Sequence, residues 1–455
     1  MVSRKHGVFR VATVAMFCLS FLTLPRSPGH AQTLDSARRD RLDQFFDRLA
    51  ERNKAMGTLT IAHDGLEVYT RAIGYGEIGA TRRKPLTAAS RFRIGSITKT
   101  FTAAMVLQLV DEGKLRLTDP LSRFLPRIPN AGKITIAHIL AHRSGIPNVP
   151  LPRDPSVPTT PQEILALVAS GTPEFEPGTH HAYSNTGYFV LGLILEKMTG
   201  MSYAAALEER IASRVGLRDT YLAAGTIDAS RNEALTYFYN GTEWKLGPQT
   251  HPSYLFSAGA IVSTTGDLAR FIQALFDLTL VSRPSLALMT TIQDGVGSGT
   301  EPFTLAGRTF YGHTGGGDNY GAWLAYQPED KVVIAYATNA KVHPVQEIVR
   351  GVADLYYNQP FQIPVFDTIV VSPELLDRYV GVYASPDLPV KFTITRQGTT
   401  LFVQPGAQTA TALEATAPTS FQLLGGSVVF EFDATKNQMT QRRGGGMARV
   451  FTKER

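Results

Sequence analysis

A serine and a lysine three residues apart begin a segment that otherwise carries no charge. Ser96 and Lys99 lie in the stretch RIGSITKTFTAAM, and Lys99 is the only ionisable residue between Ile94 and Val110. Apolar side chains would cover most of the circumference of a helix built on this stretch, and Gly113 offers an end to it. The sequence therefore predicts a buried helix with one amine near its start.

The spacing of these two residues suits nucleophilic catalysis. Positions three apart share one face of a helix, so the Ser96 hydroxyl and the Lys99 amine can meet. Burial disfavours the ammonium form of lysine, and a neutral amine can take the proton of a serine nucleophile. The alternative is a lysine that extends to the surface without a catalytic role, and the S-x-x-K pattern alone leaves both interpretations open.

A second group of polar residues, Tyr183, Ser184 and Asn185, directly precedes a predicted helix in the stretch HHAYSNTGYFV. A phenol can pass a proton between serine, leaving group and water, and an amide can hold a substrate carbonyl or position the lysine. The alternative is an ordinary turn in which Tyr183 packs and Asn185 caps the helix.

A third group lies in the stretch YGHTGGGDNYGAW. A strand that carries His313 and Thr314 and then Gly315 offers a donor side chain, a hydroxyl and an edge along which an acyl substrate can lie. The backbone N–H groups of Ser96 and Gly316 are the candidates for an oxyanion hole. The alternative is a glycine-rich hairpin with a surface histidine.

Together, S-x-x-K at Ser96, Y-x-N at Tyr183 and H-T-G at His313 resemble the motifs of the serine β-lactamase and penicillin-binding-protein superfamily. The resemblance extends over most of residues 40 to 340 and includes ITIAHILAHRSGIP, which is similar to a stretch of the class C β-lactamase-like branch. That branch also contains D-alanyl-D-alanine carboxypeptidases, D-aminopeptidases and carboxylesterases. The resemblance implies an α+β fold, an antiparallel sheet flanked by helices with an all-helical subdomain.

The resemblance also implies roles for single residues. Ser96 would be the nucleophile, and Lys99 and Tyr183 would share the acid and base work. Substrate contacts would fall on Asn185, His313, Thr314 and Gly315, with the third motif binding the carboxylate end of the substrate. No metal or organic cofactor is implied.

One departure from the family pattern bears on the substrate. His313 stands where many lactamases have lysine, and an imidazole with an ordinary pKa of about 6.5 is only partly charged at neutral pH. We therefore expect peptidase or esterase activity rather than efficient β-lactam hydrolysis. The other class of function left open is a penicillin-binding or peptidoglycan-sensing protein that is acylated, or binds ligand, without efficient turnover.

The elements that must position these residues follow from periodicity and turn signals. Two alternating apolar runs around Asp64 and Gly65 predict a hairpin, and residues 308–340 read as three strands with turns at 315–317 and 328–330. Helices are predicted at 161–169, 187–198, 265–278 and 344–357. Strands at both ends of the region, with helices between them, predict an antiparallel sheet that joins hairpins distant in sequence.

The sequence pattern changes at about residue 372. Short alternating strands punctuated by Gly, Pro, Asn and Asp replace the helical periodicity, which predicts a small all-β domain. This tail resembles the lipocalin-like barrel appended to some D-aminopeptidase-type members of the superfamily. The predicted domains are thus a β-lactamase-like serine hydrolase domain at residues 35–360 and a C-terminal β-barrel at 371–455.

Residues 1–31 have the pattern of a secretory signal peptide. A basic start precedes an apolar run at 11–24 and small residues that suit cleavage after Ala31. The alternative is a retained membrane anchor, but the run is shorter than the ~20 residues that a span needs. We expect a periplasmic or secreted protein. The sole cysteine, Cys18, would be removed with this segment, which excludes disulfides and thiolate metal sites from the mature chain.

Removal of residues 1–31 also lowers the net positive charge of the chain. Four of the 45 basic residues and none of the 39 acidic ones lie in it, which leaves a mature chain of about +2. This charge gives no indication of nucleic-acid or membrane binding. The expected partner is a small-molecule or peptide substrate, and the oligomeric state is open.

Other patterns are discounted. His138 and His142 lie one helical turn apart, a spacing that can bind zinc, but no glutamate follows the first of them as in H-E-x-x-H. The adjacent His180 and His181 are expected on a loop. The sequence has neither a G-x-S-x-G elbow nor a P-loop, which argues against an α/β-hydrolase and a nucleotide enzyme.

Overall fold

A computed structural model describes residues 34–408, 410–423, 428–443 and 448–454. The predicted signal peptide lies outside these residues. Among the helices described, none alone has the length and hydropathy to cross a bilayer, and the bent pair Asn185–Thr199 and Tyr203–Val215 meets those two criteria only jointly.

The helices of the described chain surround one main sheet and form a helical region beside it. They are α1 (Ser36–Glu51), α2 (Thr98–Asp111), α3 (Ile136–Leu140), α4 (Pro161–Ser170), α5 (Asn185–Thr199), α6 (Tyr203–Leu207), α7 (Ser213–Val215), α8 (Thr265–Phe276), α9 (Arg283–Thr290), α10 (Val345–Tyr356) and α11 (Pro373–Asp377). A π-helical turn, Glu208–Ala212, joins α6 to α7.

The strands of the first part of the chain form the main sheet and three small sheets. They are β1 (Ala55–His63), β2 (Leu66–Ile73), β3 (Tyr75–Ile78), β4 (Arg83–Pro85), β5 (Phe92–Arg93), β6 (Tyr221–Leu222), β7 (Tyr237–Tyr239), β8 (Trp244–Leu246), β9 (Ile261–Ser263), β10 (Glu301–Leu305), β11 (Arg308–Gly317), β12 (Tyr320–Gln327) and β13 (Val332–Lys341).

The main sheet confirms the predicted α+β architecture. Its strand order is β10-β11-β12-β13-β1-β2, and all neighbours are antiparallel. The central pair joins β1 to β13, with Ile61 opposite Ile334, so hairpins from the two ends of the region complete one sheet. Asp64 and Gly65 both have positive φ, which matches a tight hairpin turn between β1 and β2.

The two faces of the sheet are covered by different helices. One face packs against α1 and α10 through a core that includes Phe46, Tyr336 and Val352. The other face and the helical region share a larger core, in which Phe101 of α2 stacks on Phe271 of α8 at 3.6 Å between ring centroids. Because α2 lies between these layers, its side chains are buried from Thr98 to Leu109, as the uncharged sequence predicted.

Several element ends differ from the prediction; helix α5, for example, begins at Asn185 rather than at Gly187. The turn expected at 315–317 lies at residues 318–319 instead, because the glycines still pair with β12 up to Gly317 opposite Tyr320. Asn319 takes the left-handed conformation in this two-residue loop, with φ of 62°. Helix α8 ends at Phe276, two residues before the predicted end.

The C-terminal strands close into a barrel, in agreement with the prediction of an appended all-β unit. They are β14 (Gly381–Ser385), β15 (Leu388–Gln397), β16 (Thr400–Pro405), β17 (Thr411–Ala417), β18 (Ser420–Leu423), β19 (Val428–Asp433), β20 (Gln438–Arg443) and β21 (Ala448–Lys453). Aromatic side chains fill it: Tyr379 stacks on Phe432 at 4.7 Å.

The barrel contacts the first part of the chain through β17. Lys54, which is buried just before β1, forms an ion pair with Glu414 at 2.5 Å. The backbone N–H of Ala412 donates to the carbonyl of Asn240 at 3.0 Å. These contacts lie beside the β7–β8 hairpin.

Candidate active site

The three sequence groups converge at one place, where the start of α2, the start of α5 and the end of β11 meet. Ser96 lies in the 3-10 turn Gly95–Ile97 that leads into α2. Tyr183 precedes α5 by two residues, and His313 lies within β11. The Tyr183 hydroxyl is 2.7 Å from Ser96 Oγ, and the ring centroids of Tyr183 and His313 are 6.4 Å apart.

Lys99 is completely buried and has three polar neighbours. Its Nζ lies 3.0 Å from Ser96 Oγ, 2.7 Å from Asn185 Oδ1 and 2.8 Å from the carbonyl oxygen of Ala258. A neutral amine has two N–H groups and one lone pair. The two carbonyl oxygens can accept the N–H groups, and the lone pair is then left to accept the proton of the Ser96 hydroxyl.

The electrostatics of Lys99 favour this neutral form. Burial lowers the pKa of Lys99 well below its ordinary value, and the negative charge of Glu301 opposes this shift only in part. The neutral, basic form of Lys99 is therefore more populated than that of an exposed lysine. The alternative in which Lys99 extends to the surface is wrong.

Tyr183 makes the second contact to the serine. Burial raises the pKa of Tyr183 above its ordinary value, and the hydrogen bond to Ser96 works in the opposite direction. The phenol therefore keeps its proton at neutral pH and donates it to Ser96 Oγ. Its ring also lies 4.7 Å from Lys99 Nζ, measured to the ring centroid.

The loop that carries Tyr183 is held from both sides. Ser184 Oγ accepts from the N–H of Gly187 and caps α5, so the cap is Ser184 rather than Asn185, whose side chain is free to bind Lys99. Asn148 donates to the Tyr183 carbonyl at 2.8 Å and accepts from the Asn185 N–H at 2.7 Å. Sequence analysis missed Asn148, which lies in a loop without a motif of its own.

The glycines of the third group allow β11 to approach the serine closely. A Cβ on Gly315 would lie 1.9 Å from the carbonyl oxygen of Ile94 and 3.1 Å from the backbone nitrogen of Ser96. A Cβ on Gly95, whose φ is 53°, would lie 2.5 Å from the nitrogen of Gly316. The backbones of residues 94–96 and 315–316 are therefore in contact, which places the two candidate oxyanion-hole amides beside each other.

The edge of β11 next to the serine is not covered by β10. Strand β10 begins at Glu301, which pairs with Gly312, so it does not run alongside residues 313–317. This is the part of β11 along which the sequence predicts that a substrate lies.

His313 is buried, and its protonation is set by its neighbours. Its Nδ1 lies 2.6 Å from the carbonyl oxygen of Thr314, so Nδ1 carries the proton. Burial lowers the pKa of His313 most strongly; the charge of Glu301 raises it, Lys99 lowers it when protonated, and the hydrogen bond to the Thr314 carbonyl raises it. The net shift is downward, so the neutral imidazole is the favoured form of His313 at neutral pH.

Glu301 is a second residue at this site, after Asn148, that the sequence did not point to. Its Oε1 lies 4.0 Å from His313 Nε2, and its Oε2 accepts from the Thr314 hydroxyl at 3.4 Å. No spacing pattern links Glu301 to the motifs, because the β10–β11 pairing brings it there.

The histidines discounted as metal ligands are occupied by the backbone. His138 Nδ1 accepts from the N–H of Thr135 in the capping box of α3, and His142 Nδ1 accepts from the N–H of Ser184. Within the described ranges, no cluster of three His, Cys, Asp or Glu residues could hold a metal ion.

Comparisons with known proteins agree with this geometry. The Beta-lactamase family matches residues 42–357, and the chain belongs to that family, within the serine hydrolase superfamily that includes the penicillin-binding proteins. The similar Penicillin-binding protein 4* of Bacillus subtilis is 28% identical over 91% of this chain and 99% of its own length.

Two further relatives differ in chemistry. Esterase EstB of Burkholderia gladioli is 33% identical over 39% of this chain and half of its own length. Among solved structures, the D-amino acid amidase of Ochrobactrum anthropi SV3, complexed with L-phenylalanine, has a TM-score of 0.62 at 27% identity and covers 71% of this chain and 99% of its own. The family thus spans ester and amide chemistry.

Proposed function

We propose that this protein is an exported serine hydrolase that cleaves an ester, amide, or β-lactam or D-amino-acid peptide substrate through an acyl-enzyme on Ser96. One observation carries the proposal: Ser96 Oγ lies 3.0 Å from the buried Lys99 amine and 2.7 Å from the Tyr183 hydroxyl. A serine held between a base and an acid is the arrangement that acyl transfer requires.

In the acylation step, Ser96 Oγ attacks the substrate carbonyl carbon while its proton passes to Lys99 Nζ. The carbonyl oxygen becomes an oxyanion, which accepts hydrogen bonds from the N–H groups of Ser96 and Gly316. When the tetrahedral intermediate collapses, the bond to the leaving alcohol or amine breaks. Tyr183 donates its proton to that leaving group and regains one from Lys99.

Deacylation reverses the proton flow. A water molecule attacks the acyl carbon and gives up one proton to the Tyr183 and Lys99 pair, and the same oxyanion hole stabilises the second tetrahedral intermediate. The bond to Ser96 Oγ then breaks, and the serine takes the proton back. The products are a carboxylic acid and the unmodified enzyme.

Export follows from the N-terminal sequence and belongs to the same proposal. A cleavable segment at residues 1–31 would deliver a chain that begins at Gln32 and contains no thiol. N-terminal sequencing of the protein recovered from outside the cytoplasm tests this point. A chain found there with residues 1–31 still attached would contradict cleavage and favour a retained anchor.

The test of the activity measures repeated turnover. Purified protein is incubated with a p-nitrophenyl ester, a D-amino-acid p-nitroanilide and a penicillin, beside Ser96→Ala and, as a control, Ser122→Ala in the 3-10 turn Leu121–Arg123. We expect many equivalents of product per protein from at least one substrate, lost by about a thousandfold or more in Ser96→Ala and retained in the control.

The same assay separates the enzyme from a binding protein. At most one equivalent of product per protein, with a lasting modification, would favour the alternative in which the protein is acylated without turnover. Turnover that survives Ser96→Ala would contradict the proposal.

A further inference from the structure

The carboxylate of Glu301 lies against the third motif. Glu301 begins β10 and contacts both polar side chains of the motif, with 4.0 Å from its Oε1 to His313 Nε2 and 3.4 Å from its Oε2 to Thr314 Oγ1. A quarter of the Glu301 side chain is exposed, whereas His313 is 4% exposed. The carboxylate therefore faces the motif with part of its surface still open to solvent.

The third motif and Glu301 offer hydrogen-bond acceptors, so they can bind a group that donates. His313 Nδ1 carries its proton towards the Thr314 carbonyl, so in the neutral ring Nε2 is an acceptor. Its neighbour across 4.0 Å, Glu301 Oε1, is also an acceptor. The Thr314 hydroxyl, which would be the natural donor to a substrate carboxylate, already donates to Glu301. Two acceptors thus face each other across a gap that a donor can bridge.

The charges around Glu301 also favour a donor, and one that is positively charged. In the described part of the chain, His313 is the only basic side chain whose nitrogen comes within 4.0 Å of the Glu301 carboxylate. Burial lowers the pKa of both Lys99 and His313, which disfavours a positive charge on either side chain. A substrate carboxylate placed here would meet a like charge, and an ammonium group would meet an opposite one.

We propose, on the basis of the proposed hydrolase function, that Glu301 is a specificity-determining residue. It selects substrates in which the group that lies against His313 and Thr314 carries a cationic amine, and it rejects substrates in which that group carries a carboxylate. The substrate class is then an ester or amide that carries a free amino group near the reacting carbonyl. This is the reverse of the carboxylate-binding role that the family resemblance implies for the third motif.

Two substrate series test the proposal. In the first, the acyl part varies: p-nitroanilides of D-alanine, N-formyl-D-alanine and N-succinyl-D-alanine carry a cation, no charge and an anion. In the second, D-alanine anilides carry an aminomethyl, carbamoyl or carboxyl group on the leaving ring. The readout is the ratio of kcat/KM for the cationic over the anionic member, which does not depend on the fraction of active protein.

We expect a ratio of about a hundred or more in at least one series for the wild type. A neighbouring charge changes the equilibrium between the charged and neutral forms of an ionisable group by about one to three powers of ten, and a charged substrate group should respond similarly. Glu301→Gln should lower that ratio at least tenfold, and Glu301→Lys should invert it. Glu431→Gln, which removes the same charge from the barrel, should leave the ratio unchanged.

Salt provides a measurement that needs no variant. Raising the ionic strength should lower the wild-type ratio, because a quarter-exposed carboxylate is screened. A wild-type ratio near one in both series, or an equal ratio in the wild type and Glu301→Gln, would overturn the proposal. Loss of the proposed hydrolase function is a separate result, recognised by the absence of Ser96-dependent release from the neutral substrates.

Discussion

The imidazole of His142 lies against the phenol ring of Tyr183, with ring centroids 4.5 Å apart and an interplanar angle of 29°. His142 Nδ1 accepts the N–H of Ser184 at 3.0 Å, and the residue takes the left-handed conformation with φ of 54°. Burial lowers the pKa of His142 well below its ordinary value, which keeps the ring neutral. His142 is therefore a positioning residue for Tyr183.

Replacing His142 should impair chemistry rather than binding. His142→Asn tolerates the left-handed backbone but removes the ring that supports Tyr183, so we expect kcat to fall by about tenfold or more with little change in KM. The loss should disappear in a Tyr183→Phe background, because the hydroxyl being positioned is gone. The control is His180→Asn, because His180 is exposed on the loop that carries Tyr183. Equal losses in both backgrounds would show that His142 has a general structural role.

Lys99 should leave a signature in the pH dependence of stability. Its pKa is depressed in the folded state, so the unfolded chain binds the extra proton at any pH between that folded value and the ordinary 10.5. The free energy of unfolding therefore rises with pH through this window, by up to about 1.4 kcal/mol per pH unit. Above pH 10.5 Lys99 is neutral in both the folded and the unfolded state, so the rise ends there.

The measurement compares wild type with Lys99→Met by denaturant unfolding at several pH values. The wild type should gain stability relative to the variant as the pH is raised from neutral towards 10. Lys114→Met, at a largely exposed lysine, should show no such trend. Parallel pH profiles for the wild type and Lys99→Met would mean that Lys99 is charged in the folded protein.

The close contact between β11 and the serine turn predicts that Gly315 tolerates no side chain. Gly315→Ala would push the Ile94 carbonyl and the Ser96 nitrogen away from β11, so we expect kcat/KM to fall by about a hundredfold with the fold retained. Activity assays and circular dichroism check this. Gly132→Ala, where a Cβ would meet nothing within 4 Å, controls for the substitution itself. Full activity of Gly315→Ala would refute the oxyanion-hole geometry.

The buried ion pair between Lys54 and Glu414 should stabilise the attachment of the barrel. Lys54→Met leaves a mostly buried carboxylate without its partner, which costs about 3–5 kcal/mol. The double variant Lys54→Met with Glu414→Leu should recover more than half of that loss, since no charge remains buried. Denaturant unfolding measures both, with Lys436→Met at an exposed pair as the control. A loss below 1 kcal/mol for Lys54→Met would show that the pair contributes little.

Much of this arrangement is predictable from the sequence. The uncharged stretch around Lys99 indicated a buried helix, and the hairpin at Asp64 with the strands after Arg308 indicated the sheet. Ser96, Lys99, Tyr183, Asn185 and His313 each stood out because a polar residue type recurred in a known spacing next to a predicted element, and the structure brings these five side chains together.

The rest depends on contacts that have no local signal. Glu301 reaches His313 only through the register of β10 on β11, and the Ala258 carbonyl meets Lys99 from across the helical core. Lys54 and Glu414 are 360 positions apart in the chain. Sequence periodicity predicts which face of an element is buried, but not which polar group on another element lies opposite it.

The most direct test of the central claim is intact-mass spectrometry of the protein, quenched during turnover of a p-nitrophenyl ester or after exposure to a penicillin, beside Ser96→Ala. We expect a mass increase equal to the acyl group, located on Ser96 by peptide mapping and absent from the variant. Ester turnover accompanied by acylation at another residue, or the same adduct in Ser96→Ala, would contradict it.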